Sequence, residues 1–163
     1  MEKLTQASEH PRFSSRRKKV LVVDDDAGFA SECGRRLVQA GHEVRVEVAG
    51  VGALTAAEEF RPDMILLDIA MPGMSGFAVA SRLRKLGLSR DIVMIAFTEA
   101  VEPLLYRRLA DFRFDACLLK RATDAELLDM VSLERAHCRG PSAHDERLQV
   151  NAATASIAGG QAR

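Results

Sequence analysis

Tryptophan is absent from the 163 residues, tyrosine occurs once, and aromatic side chains make up only 5% of the chain. Any core must therefore be mainly aliphatic. Cysteine occurs three times, at Cys33, Cys117 and Cys138, with no Cys-x-x-Cys pair. An odd number without ligand spacing argues against a disulfide framework and a thiolate metal site. It leaves incidental thiols of a reducing compartment. No apolar run approaches the ~20 residues of a membrane span. The basic N-terminus is followed by a short apolar run that ends in Asp24-Asp25-Asp26, which excludes a secretory signal peptide. A cytoplasmic location and no membrane span are expected. Net charge is also missing, with 23 Lys and Arg against 23 Asp and Glu. The zero hides an uneven layout. Lys3, Arg12, Arg16, Arg17, Lys18 and Lys19 crowd the start, while residues 20–137 hold 14 basic and 19 acidic side chains. An acidic body argues against a nucleic-acid surface on the folded part.

What is present is a 47% hydrophobic chain, long enough for one domain with spare length for tails. Apolar runs recur at 20–23, 64–67, 92–97 and 117–119, and Val44, Val46 and Val48 alternate with charged residues as in a half-exposed strand. Helical spacing fills the gaps. Phe29, Cys33, Leu37 and Val38 lead to a stop at Gly41. A turn at 50–52 precedes a short helix over 53–60. Ser75 is placed to cap a helix that ends near Gly87, a short helix covers 103–109, and Thr123 or Asp124 caps a last one running to about 136. Continuous apolar strands separated by helices predict an α/β fold, a doubly wound five-stranded parallel sheet covered on both faces. The domain is expected over 19–138, after a flexible basic leader at 1–18 and before a disordered tail at 139–163, both of which lack apolar periodicity.

Four of the five strands share one property: they end on a residue able to do chemistry. The first ends in Asp24 and Asp25, the third in Asp68, the fourth in Thr98 and the fifth in Lys120. In open α/β sheets that edge carries the ligand. Two carboxylates ~4 Å apart repel by about 4 kcal/mol at an effective dielectric of 20, so such a cluster calls for a cation. Carboxylates with water suit Mg²⁺, which favours phosphate oxygens as further ligands. Lys120 and Thr98 supply a charge and a hydrogen bond for a phosphoryl group, and a carboxylate can itself be the nucleophile. The residues point to metal-assisted phosphoryl transfer onto an aspartate.

Val22-Val23-Asp24-Asp25, then Leu67-Asp68 with Met71-Pro72-Gly73 and Gly76, then Ala96-Phe97-Thr98, then Leu118-Leu119-Lys120, resemble in order and spacing the receiver domains of two-component response regulators. The resemblance spans about residues 19–136. It implies a flavodoxin-like, CheY-like strand order 2-1-3-4-5, with Asp68 as phosphoacceptor for a sensor histidine kinase or histidine phosphotransfer protein. It also implies Mg²⁺ held by Asp24, Asp25, Asp68 and the main-chain carbonyl of Ala70, a switch hydroxyl at Thr98 and a phosphate-pairing Lys120. Such a protein is a switch rather than an enzyme. It would signal by contact with a downstream protein, here with no helix-turn-helix unit to read a DNA sequence.

The chain departs from the family in three ways. Arg121 replaces the proline that usually follows the lysine; a non-proline cis bond costs ~2.5–4 kcal/mol, so Lys120–Arg121 is expected to be trans. Ala116 and Cys117 stand where the family carries its aromatic switch. Glu99 follows Thr98 in place of a small residue and is expected to face solvent. Two rival readings remain: a pseudo-receiver that only binds proteins, and a haloacid dehalogenase-type phosphatase with Asp24 as nucleophile.

Overall fold

The computed structural model describes residues 16–88, 91–100, 103–132 and 149–150. In chain order the elements are β1 (Lys19–Val23), α1 (Ala27–Gln39), β2 (Glu43–Glu47), α2 (Gly50–Phe60), β3 (Met64–Asp68), α3 (Gly76–Lys85), β4 (Val93–Thr98), α4 (Pro103–Asp111), β5 (Ala116–Leu119), α5 (Asp124–Val131) and β6 (Gln149–Val150). The strands pair in parallel in the order β2-β1-β3-β4-β5, and the two residues of β6 join the outer side of β5. The five-strand order expected from the sequence is thus present. Gln149 and Val150, expected in a tail without structure, pair with Ala116 and Cys117. The rest of the expected tail, residues 1–15 of the leader and Cys138 lie outside the described residues.

Side-chain alternation along each strand builds two cores. Leu21, Val23, Ile65, Leu67, Met94 and Ala96 meet Ala53 and Ala57 of α2, Val79 and Leu83 of α3, and Leu109 of α4. Val20, Val22, Met64, Leu66, Ile95 and Phe97 meet Ala30 and Leu37 of α1 and Leu127 and Val131 of α5. Every residue of β3 and β4 is buried, as central parallel strands require, whereas β2 is half-buried throughout. Each fully buried Leu or Ile contributes about 1.5–3 kcal/mol, so burial stabilises the middle of the sheet most. The site residues hang from the ends of those strands.

Helix ends follow local chemistry. Ser75 Oγ accepts the Ala78 amide at the start of α3. Thr123 and Glu126 form a reciprocal capping box on α5. Gly41 stops the stretch after α1 with φ +94°. One expected boundary is corrected: 50–52 is not a turn but the first turn of α2. Gly50 is there for closeness, since a Cβ on it would lie 2.8 Å from the Met74 carbonyl oxygen. The described end of the expected leader is tied down. Lys18 Nζ donates to the Val131 carbonyl at 2.8 Å, and its amide donates to His42 Nδ1 at 3.3 Å.

Candidate phosphoacceptor site

β1 and β3 are neighbours with Val23 opposite Leu67, so the next residues, Asp24 and Asp68, emerge side by side at the same edge. Burial is nearly complete for both, at 0% and 2% exposure. β4 and β5 pair with Thr98 opposite Leu119, and the Lys120 amide donates to the Thr98 carbonyl at 2.9 Å. Four strands therefore aim four functional residues at one pocket.

Lys120 is its centre. Its ammonium lies 2.7 Å from Asp24 Oδ2 and 3.1 Å from Asp68 Oδ2. The remaining carboxylate oxygens are held by backbone: Asp24 Oδ1 accepts the Asp26 amide and Asp68 Oδ1 accepts the Ala70 amide, each at 3.0 Å. Behind the ammonium lies the Phe29 ring, its centroid 5.2 Å away, and Phe29 packs edge-on against Phe97. Burial raises the Asp24 carboxyl above its ordinary value, more than its hydrogen bonds from Lys120 and the Asp26 amide lower it. Burial works against the Lys120 charge too, but its hydrogen bonds to Asp24 and Asp68 outweigh that and hold the ammonium above its ordinary value.

Asp25 sits exposed at the mouth, and one carboxylate oxygen from each of Asp24, Asp25 and Asp68 falls within a 4.8 Å cluster. Three carboxylates against one ammonium leave a local charge of about −2. An all-oxygen donor set of that size and charge fits a hard divalent cation. Ala70 joins the site through its amide. Thr98 is buried at 7% exposure, with its hydroxyl donating to the Ala100 carbonyl at 2.8 Å. Glu99 and Arg121 are exposed, and the Lys120–Arg121 peptide is trans.

Sequence reasoning missed two supports. Phe29, read only as a core residue of the first helix, floors the pocket under Lys120. Gly76 permits a near collision: a Cβ there would lie 2.2 Å from the Asp68 carbonyl oxygen and 2.9 Å from Ile69 Cα. The first turn of α3 therefore rests directly on the backbone that carries Asp68. The Gly after Met-Pro-Gly was visible as a motif; its packing role was not.

Two buried aspartates bridged by a lysine, with a third acid at the mouth and a hydroxyl alongside, on a doubly wound sheet of order 2-1-3-4-5, define a response regulator receiver. Residues 20–132 match the response regulator receiver domain family, and the chain belongs to it. It is 39% identical over 89 residues to the DNA-binding response regulator MtrA of Mycobacterium tuberculosis, which covers 55% of this chain and 39% of that protein. It is 33% identical over 148 residues to the transcriptional regulatory protein PrrA of the same organism, covering 89% and 62%. The chain thus spans less than two thirds of each of these curated relatives. Among solved structures it resembles the chemotaxis protein CheY4 of Vibrio cholerae, with a TM-score of 0.68 at 27% identity over 71% of this chain and 97% of that one. No helix among the described residues is long and apolar enough to cross a membrane.

Proposed function

We propose that Asp68 accepts a phosphoryl group from a histidine kinase or histidine phosphotransfer protein, and that the chain then signals by protein contact. The observation that carries this reading is the Lys120 ammonium set between two buried carboxylates beside an exposed third one. In the transfer, an Asp68 carboxylate oxygen forms a bond to phosphorus, the phosphorus–nitrogen bond of the phosphohistidine breaks, and the imidazole leaves with the electron pair. The product is an acyl phosphate, an aspartyl phosphate. Asp24, Asp25, Asp68 and the Ala70 carbonyl would hold Mg²⁺, whose charge offsets that of the incoming phosphoryl oxygens. Lys120 is already in place to pair with one of those oxygens. Thr98 has a single donor hydrogen, now spent on Ala100, so binding a phosphoryl oxygen requires it to release that carbonyl. Release of that contact is the local event that a switch needs.

This role is that of a phosphoacceptor, with at most weak turnover of its own phosphate. It belongs in the cytoplasm, where Cys33 and Cys117 stay as thiols. Burial pushes them up to about 12 and about 11, away from reactive thiolate. DNA contact is in the name of MtrA, but the described helices here all pack on one sheet, and we assign the chain no sequence-specific DNA reading. The phosphatase reading with Asp24 as nucleophile is disfavoured, because Asp26, the second acid of that family's Asp-x-Asp motif, is spent capping α1, and Gly28 stands where the motif carries Thr or Val. With Mg²⁺ and acetyl phosphate the protein should gain one hydroxylamine-labile phosphoryl group by mass, and Asp68→Asn should gain none. Equal labelling of the Asn variant refutes the assignment, and no labelling of either leaves a pseudo-receiver.

A further inference from the structure

The aromatic side chains missing from β5 reappear elsewhere. Ala116, Cys117 and Leu118 are all buried, and none is a ring that could swing between an inward and an outward position. Instead, Phe77 of α3 packs against Phe112 and Phe114 of the turn between α4 and β5, with ring centroids 5.0 Å and 5.9 Å apart. The guanidinium of Arg108, on α4, lies 4.3 Å from the Phe77 ring centroid. At the other end of α3, Arg84 donates to the Phe112 carbonyl at 2.9 Å and to the Arg113 carbonyl. Arg113 is held in the left-handed region at φ +53°. The end of α4 and the turn after it therefore ride on α3.

Phe77 directly follows Gly76, the residue in backbone contact with Asp68 and Ile69. A shift of the Asp68–Ile69 peptide has no slack to absorb it there: it must move the first turn of α3, and Phe77 moves with that turn. Close-packed interiors pass such displacements on rather than damping them. We propose that Phe77 is the positioning residue that couples the acceptor Asp68 to α4, in place of an aromatic on β5. The coupling rests on the phosphoacceptor reading above and adds the route by which that site is felt outside.

The test follows backbone amide resonances of the full chain as Mg²⁺ and beryllofluoride, a phosphoryl mimic, are added. In the wild type, amides around Asp24, Asp68 and Thr98 should shift, and so should those of residues 104–113. In Phe77→Leu, which keeps an apolar side chain but removes the ring, the pocket amides should still shift to saturation while the shifts at 104–113 are lost. Phe77→Tyr, which restores a ring, should bring them back. Unchanged shifts at 104–113 in Phe77→Leu overturn the coupling. So does loss of the pocket response itself, which would make Phe77 a prop for the pocket rather than a link. Pocket shifts without any response at 104–113 in the wild type overturn it as well. Absence of all shifts in the wild type sinks the phosphoacceptor reading first, and the coupling with it.

Discussion

Asp24, Asp25 and Asp26 are the same side chain three times, and the fold gives each a different environment. Asp24 is buried on Lys120, Asp25 is exposed in the carboxylate cluster, and Asp26 caps α1 by accepting the Gly28 and Phe29 amides. The third residue is a helix cap, while the first lies buried against Lys120 at the sheet edge. Residue identity could not separate them; the strand end could, because it sets which acid points into the sheet edge. His42 shows the opposite case. No role was legible for it in the sequence, and the structure makes it a buried acceptor for the Lys18 amide. Burial, then the nearby Lys18 charge, holds its imidazole below the ordinary 6.5. The unfolded chain therefore binds this proton more readily, and stability should fall as pH drops through and below about 6.5, down to the lowered folded value. Urea midpoints measured from pH 7.5 to pH 5.5 should decline in the wild type and decline less in His42→Gln. Equal slopes in the two proteins would remove His42 from the account.

At the scale of elements, the join between β3 and α3 decides the site. A Gly76→Ala methyl would be driven into the Asp68 carbonyl, a Cβ against backbone, where no rotamer change can relieve it. Overpacking of this kind costs about 1–3 kcal/mol or more, and its relief must displace Asp68 or α3. Gly76→Ala should lower the denaturation midpoint accordingly and slow labelling by acetyl phosphate. Full stability with full labelling would show that the contact is softer than its distances indicate. Most elements were legible, because strands 64–67 and 92–97 are unbroken apolar runs and Ser75, Thr123 and Gly41 mark helix ends by their own chemistry. The start of α2 was not. Glycine signals both a turn and a close approach, and only the tertiary partner, the Met74 carbonyl, tells which applies at Gly50. Long-range contacts explain the other omissions. Phe29 under Lys120 and Phe77 against Phe112 join residues distant in sequence, and no local pattern announces them. The gathering of Asp24, Asp68, Thr98 and Lys120 was legible because parallel strands put their ends at one edge, so a list of strand-ending residues is already a list of neighbours.

For the whole molecule, a formal charge of zero conceals a pocket of three carboxylates and one ammonium. Folding without a cation gathers these charges at some cost. The raised Asp24 carboxyl is one sign of it, since its ionised form is less favoured folded than unfolded. Two opposite effects on stability follow. A cation that binds only the assembled pocket stabilises the fold by mass action, by about 2.7 kcal/mol at a hundred times its Kd. For a domain of this size that is about 10 °C or more in Tm. Asp24→Asn keeps the shape of the side chain but removes one charge, so it should raise Tm in the presence of a chelator and shrink the increment produced by Mg²⁺. Thermal melts at matched ionic strength, with EDTA and with millimolar Mg²⁺, read both numbers from each protein. An equal Mg²⁺ increment in wild type and variant would place the cation elsewhere. A lower Tm for the variant in chelator would mean that the Lys120 pairing to Asp24 outweighs the repulsion and burial that the fold imposes on it.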